Sequence, residues 1–305
     1  MDISVKLSKE FNIKLSQVLE TIKLIDAGNT IPFIARYRKE ATGGMSDEIL
    51  RELFDRLMYL RSLESRKEEV IRLIAEQGKL TEELRREISE AEILQRVEDL
   101  YRPFKPKRRT RATIAEEKGL KPLAEMILNQ ETISETIEEL ARPYVNPELG
   151  VNSVKDALDG ARDIIAEIIS DNAEYRERIR NLYFKKGIIE SKAVAPDERS
   201  AYEMYYDFRE PVDKIANHRI LAINRGEREK KLKVGILSPD EEIIVYLKKQ
   251  VILDERAATA RLLEDAIEDA YKRLIAPSIE REVRNVLTER AQKEAVKVFA
   301  KNTNV

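Results

Sequence analysis

Apolar residues recur along most of this chain at the three- and four-residue spacing of amphipathic α-helices. Near the N-terminus, five of them share one helical face: Leu15, Val18, Leu19, Ile22 and Ile25. Only two runs, GIIESKAV and KLKVGIL, have the composition of strands. The pattern predicts a mainly α, multi-helical fold with at most a small β element and a long helical segment at the C-terminal end.

Two of the predicted helices lie close together, between about residues 15 and 40. Ala27-Gly28-Asn29 ends the first helix, and Thr30 can cap the second, with Pro32 in its first turn. This order gives the outline of a helix-turn-helix. A DNA-reading helix usually presents its first residues to base edges. Here residues 31–34 are apolar and cannot read bases by hydrogen bonding, which favours a structural or backbone-contacting role.

Capping residues predict where later helices begin and end. Ser46 is expected to open a long helix that ends near Gly78, and Thr113 and Glu116 have the spacing of a capping box. Pro277 is expected to interrupt the helical stretch after residue 254. The predicted regions are residues 1–112, helical with the helix-turn-helix-like pair; 113–250, helical with minor strands; and 251–305, a long helical segment.

Positive charge is concentrated in one segment of this otherwise balanced chain. The chain has 55 Lys and Arg against 57 Asp and Glu, so its net charge gives no general attraction to polyanions. Residues 102–111 nevertheless carry six basic side chains and no acid, and Pro103 and Pro106 predict a loop there. The candidate nucleic-acid-binding residues are the loop cations Lys105, Lys107, Arg108, Arg109 and Arg111, and a second basic set on the second N-terminal helix, Arg36, Arg38 and Lys39. The alternative is that these cations pair with acids on neighbouring helices or only solvate a loop.

Signals for catalysis are weak throughout the sequence. There is no cysteine and one histidine, His218, and no phosphate-cradling glycine motif or zinc-protease motif occurs. Pairs of adjacent acids are interpreted as solvated helix faces. An aromatic group is expected to pack two helical segments together rather than stack on bases: Tyr202, Tyr205, Tyr206 and Phe208. We therefore expect no enzyme activity, no cofactor and no metal, and a cytoplasmic protein without a membrane partner, since no apolar run approaches bilayer length.

Four segments occur in order and are more specific than any single motif: IPFIARYRKEATGG, VEDLYRPFKPKRRTRATIAEEKGLKPLA, VKDALDGARDIIAE and DFREPVDKIANHRILAINRGE. Together they resemble the N-terminal half of the bacterial transcription accessory protein family Tex, from about residue 2 to residue 300. The resemblance implies a helix-turn-helix-like part and a long helix after Asp254. It also implies RNase H-like, helix-hairpin-helix and S1 domains beyond this chain, of which the S1 domain is tied to nucleic-acid binding. No catalytic residue is carried over.

Two functions follow as hypotheses. The first is an N-terminal scaffold of a Tex-like factor with weak, sequence-independent binding to the RNA or DNA backbone, linked to transcription. The alternative is a protein-interaction module that docks the transcription machinery or the missing domains without touching nucleic acid. The balanced charge favours the second, and the resemblance favours the first.

Overall fold

The computed structural model describes residues 2–130 and 136–303. The chain divides into two compact units, one ending at Phe104 and one beginning at Lys105. Helices dominate both units and a small sheet occurs in the second, so the predicted mainly α fold is confirmed. No helix within the described ranges is both long enough and apolar enough to cross a lipid bilayer. The three-region division with boundaries at 112 and 250 stays a prediction.

The first unit is built around one long helix. Its described helices are α1 (Ile3–Phe11), α2 (Leu15–Asp26), α3 (Ile31–Tyr37), α4 (Lys39–Thr42), α5 (Asp47–Glu76), α6 (Glu82–Glu90) and α7 (Leu94–Tyr101), followed by a 3-10 turn at Arg102–Phe104. As predicted, Ser46 caps α5, its hydroxyl accepting a hydrogen bond from the Ile49 amide. One face of α5 is buried along its length because apolar residues recur there at helical spacing: Leu50, Leu53, Leu57, Leu60, Leu63, Val70 and Ile74.

The second unit packs helices around a three-stranded sheet. Its elements are α8 (Arg111–Glu117), α9 (Lys121–Asn129), α10 (Ile137–Ala141), α11 (Val154–Asp171), α12 (Ala173–Lys186), β1 (Ile188–Ala193), β2 (Asp207–Pro211), α13 (Asn217–Arg228), β3 (Leu232–Leu237), α14 (Asp240–Val251), α15 (Ala260–Asp269) and α16 (Ala276–Thr303). A continuous core of buried apolar residues connects these helices with the sheet. The long α11 and the α15–α16 stretch supply much of that core.

The sheet has the order β2-β1-β3 and is antiparallel throughout. The two predicted strands are found as β1 and β3, whereas β2 was not predicted. The expectation that the aromatic group packs two helical segments is wrong for Phe208, which lies in β2 opposite Ser191 of β1. Its ring meets that of buried Tyr205 edge-on, with 5.2 Å between centroids. These aromatics therefore pack at the sheet.

Two further boundaries differ from the predictions. The capping box at α8 joins Thr110 and Thr113, not Thr113 and Glu116, because α8 starts at Arg111. The helical stretch after α15 is not interrupted at Pro277, since a π-helical segment, Ala270–Ile275, joins α15 directly to α16. Proline cannot donate to the helical ladder and its ring crowds the preceding turn. The wider π turn absorbs that misfit without breaking the helix.

Candidate nucleic-acid interface

The short helix α3 is fixed by its flanking turns. Gly28, with φ of +82°, ends the turn after α2, and the Thr30 hydroxyl accepts a hydrogen bond from the Phe33 amide. Pro32 occupies the first helical turn, where its missing amide proton is not needed. The chain leaves the helix at Arg38, whose φ is −130°. The predicted pair of short helices around a glycine turn is therefore present, as α2 and α3.

One residue anchors α3 to the rest of the unit. Ile34 is fully buried and forms a small core with Leu50 and Leu53 of α5 and with Met45. Phe33 and Tyr37 flank this anchor along the helix and are among the exposed large apolar residues of the chain. Burial of Ile34 thus leaves the two rings at the surface of the unit.

Two of the three predicted N-terminal cations, Arg36 and Arg38, lie beside these rings. Arg36 belongs to α3, but Arg38 lies in the break after it and Lys39 opens α4, so the expectation that all three belong to one helix is wrong. All three are exposed, and none forms an ion pair with any residue in the described ranges. We call Phe33, Arg36, Tyr37, Arg38 and Lys39 the α3 cluster.

Aromatic and cationic groups interleave within the α3 cluster. The guanidinium carbon of Arg36 lies 6.0 Å from the Tyr37 ring centroid, and that of Arg38 lies 5.6 Å from the Phe33 centroid. The two ring centroids are 5.2 Å apart, with the planes inclined at 46°. Cation–π contacts of this kind hold guanidinium groups beside rings without neutralising their charge.

The basic loop differs from the α3 cluster because acids neutralise part of it. Lys107 pairs with both Asp171 and Glu167 of α11, the Nζ–Oε2 distance to Glu167 being 3.1 Å. Arg109 pairs with Glu117 of α8 at 3.2 Å. Lys107 and Arg109 are thus engaged by acids of their own unit.

The remaining loop cations have different surroundings. Arg111 is the first residue of α8 rather than part of the loop. It lines a cleft of about 320 Å³ together with three aspartates, Asp156, Asp159 and Asp163. Burial raises the pKa of Asp163 above its ordinary value, although nearby arginines oppose the shift. Lys105 is half-buried, whereas Arg108 is exposed and forms no ion pair with the described residues.

Sequence reasoning missed the two rings as candidate binding residues. Phe33 is one of the apolar residues 31–34 that cannot read base edges, and Tyr37 is not among the predicted candidates. Part of the signal was present, since the two aromatics stand four residues apart and therefore share a helical face, with basic residues between and after them. The single histidine, His218, lies exposed in the first turn of α13.

Family models match two parts of the chain. A Tex-like protein N-terminal domain matches residues 1–75, and a Tex central region-like model matches residues 133–299, more than half of the chain. The chain belongs to the Tex family. The α3 cluster falls inside the first match.

Bacterial relatives agree with this assignment. The uncharacterized protein YdcI of Bacillus subtilis is 46% identical over 97% of this chain. Protein tex of Bordetella pertussis is 42% identical over 98%, and the transcriptional accessory protein Tex of Neisseria gonorrhoeae is 40% identical over 99%. The matched region covers 42%, 40% and 40% of these three relatives, so the chain spans about two fifths of their length.

Proposed function

We propose that this Tex-family chain is a scaffold that acts in transcription and binds nucleic acid weakly and without sequence preference. The observation that carries the proposal is the α3 cluster. Arg36, Arg38 and Lys39 are exposed together and have no carboxylate partner among the described residues. A chain with nearly balanced charge can bind a polyanion only through such a local excess of positive charge.

Phosphate contacts make affinity fall with salt in a measurable way. Each neutralised phosphate contributes roughly −0.7 to the slope of log affinity against log salt for single strands and roughly −0.9 for duplex DNA. Three cations therefore predict a slope of roughly −2 to −3. Contacts of this type position a protein on the backbone and carry no sequence information. The apolar first turn of α3 is consistent with that mode, because it offers no side chain that could hydrogen-bond to a base edge.

The basic loop is assigned a secondary role. Lys107 and Arg109 would have to exchange Asp171, Glu167 and Glu117 for phosphates, which reduces the net gain from binding. Arg108 has no such competitor within the described residues. We assign no catalytic step to any residue. Because we propose a role in transcription, we also propose that the chain acts in the cytoplasm.

The alternative is a protein-interaction module that docks the transcription machinery without contacting nucleic acid. The pairing of loop cations with acids supports it, because Lys107 and Arg109 then have less charge to offer to phosphates. The two functions differ in their ligand, so one binding experiment separates them.

The test is fluorescence anisotropy of labelled single-stranded RNA, single-stranded DNA and duplex DNA, titrated with the chain at several salt concentrations. The variant Arg36→Gln/Arg38→Gln/Lys39→Gln should weaken binding and flatten the salt slope. Its matched control is Lys9→Gln/Lys79→Gln/Arg86→Gln, which removes the same charge from exposed positions of the same unit. Absence of salt-dependent binding to all three probes would overturn the proposal, as would an equal loss in the control.

A further inference from the structure

The α3 cluster contains more than positive charge. Phe33 is 36% exposed and Tyr37 is 60% exposed. Single exposed apolar residues are common on protein surfaces. Two adjacent rings between two guanidinium groups are a more specific arrangement, because they combine flat apolar faces with fixed positive charge.

This combination matches the chemistry of an unpaired nucleotide. Each nucleotide presents the flat π face of its base and the negative charge of its phosphate, and both recur with every nucleotide along the strand. Proteins that bind single strands use aromatic side chains as stacking platforms beside cations that follow the backbone. Arginine planes also stack on bases, so Arg36 and Arg38 can extend the platform formed by the rings.

We propose that the α3 cluster is a stacking site for single-stranded nucleic acid, with bases placed on Tyr37 and Phe33 and phosphates held by Arg36, Arg38 and Lys39. This inference rests on the proposed function and names its ligand class. Duplex DNA does not fit the site equally well, because its bases are stacked on one another and only their edges are accessible in the grooves. The short α3 offers apolar side chains, not hydrogen-bonding ones, to those edges.

The cations and the rings of the site should contribute to affinity in different ways. The cations should control the salt dependence, whatever the strandedness of the ligand. The rings should control the preference for single strands, and this part should depend little on salt. Removing one stacking ring is expected to lower single-strand affinity roughly tenfold.

The first experiment uses a reporter on the site itself. The chain contains no tryptophan, so Tyr37→Trp introduces a unique fluorophore that retains a stacking surface. Its emission should be quenched by a 20-nucleotide single-stranded RNA and much less by a duplex of equal length or by inorganic polyphosphate. Quenching by polyphosphate to the same extent would overturn stacking. Quenching by poly-glutamate but not by RNA would indicate an acidic protein partner, and would overturn the inference too.

The second experiment compares Tyr37→Leu with Tyr37→Phe, and Phe33→Leu with the unchanged chain. Leucine keeps an exposed apolar side chain but removes the ring, whereas Tyr37→Phe keeps the ring and loses only the hydroxyl. We expect about tenfold weaker single-strand binding for each leucine variant, unchanged duplex binding, and wild-type binding for Tyr37→Phe. Circular dichroism should confirm that all variants stay folded, since both side chains are exposed.

The outcomes distinguish this inference from the function on which it rests. If the leucine variants bind single strands as tightly as the wild type while the three-glutamine variant loses its salt slope, stacking is wrong and backbone binding stands. If no probe binds at low salt, the proposed function fails and the stacking site fails with it.

Discussion

Arg176 of α12 and Glu282 of α16 form an ion pair, with 2.6 Å between Nη2 of the arginine and Oε1 of the glutamate. Arg176 is fully buried, and Arg180, one turn further along α12, donates to the other carboxylate oxygen at 2.8 Å. Ser278 also donates to Glu282 and accepts from Arg176. The network joins two helices that lie about a hundred residues apart in the chain.

Removing the carboxylate charge should destabilise the second unit strongly. Glu282→Gln removes the carboxylate charge that faces two buried guanidinium groups, and breaking a buried ion pair in this way typically costs about 3 kcal/mol of unfolding free energy. Urea denaturation followed by circular dichroism measures the change. Glu289→Gln on the same helix is the control, because this glutamate is exposed. A shift of Glu282→Gln no larger than that of the control would mean that the network contributes little.

The same network predicts how stability depends on pH. Burial alone would raise the pKa of Glu282, but Arg176 and Arg180 outweigh it and hold this pKa below its ordinary value. A lowered acid pKa gives stabilisation that is complete above the unfolded pKa of about 4.3 and lost as the pH falls through the folded pKa. The stability difference between wild type and Glu282→Gln should therefore be constant from pH 7 to pH 5 and shrink below about pH 4. A difference that shrinks already near pH 6 would contradict the assignment.

A second polar contact, partly buried, involves the π-helical segment. The Tyr271 hydroxyl donates to Asp240 at 2.5 Å and lies 3.2 Å from the Tyr183 hydroxyl. Burial raises the pKa of Tyr271 well above the usual range of tyrosine, so it stays protonated as a donor. Tyr271→Phe should lower the unfolding free energy by about 1 kcal/mol because Asp240 loses this bond. Tyr246→Phe is the control, since its hydroxyl makes no hydrogen bond within the described residues. Equal melting temperatures for the two variants would contradict this prediction.

Local rules predicted much of this fold. The helices starting after Thr30 and Ser46 begin where capping chemistry predicts, because a cap involves only residues within one turn of each other. Strand β2 was not predictable in this way. Its polar sequence becomes a strand because β1 offers a partner about twenty residues away. At Pro277, local propensity indicated a break, and tertiary packing of the flanking helices prevailed.

The candidate site likewise has features that the local sequence predicts and features that depend on tertiary packing. Its cations could be predicted, because the sequence gives the charge of each side chain directly. The sequence could not predict which cations are neutralised, since Lys107 pairs with an acid 64 residues away. The exposure of Phe33 and Tyr37 follows from the burial of Ile34, which depends on the packing of α3 against α5.

A structural role of the loop cation Lys107 can be tested by its effect on stability. Lys107 is the shared partner of Asp171 and Glu167, which are both largely shielded from solvent. Lys107→Gln removes that cation and leaves two neighbouring carboxylates, so we expect a loss of about 1.5 kcal/mol in unfolding free energy. Arg108→Gln is the neighbouring control and should change stability by less than about 0.5 kcal/mol. Similar denaturation midpoints for both variants would show that Lys107 has no structural role.

Close packing of α11 against α8 and α9 is tested at Gly160. A Cβ at this position would lie 2.3 Å from Cδ1 of Leu120 and 3.3 Å from the Ala115 Cβ. Alanine in a helix interior gains about 1 kcal/mol over glycine, whereas overpacking a rigid core costs about 1–3 kcal/mol. Leu120 is itself buried and cannot easily move. We therefore expect Gly160→Ala to destabilise the chain by about 1 kcal/mol net.

The energetic coupling between positions 160 and 120 tests whether the contact with Leu120 causes the expected destabilisation. Leu120→Val shortens the side chain that meets the new methyl group, so Gly160→Ala should be less destabilising in that background than in the wild type. A double-mutant cycle in urea measures the interaction, which should be at least about 0.5 kcal/mol for residues in contact. Additive effects of the two substitutions would mean that the helices separate to accommodate the methyl group. A stabilising Gly160→Ala would mean that helix propensity prevails at this contact.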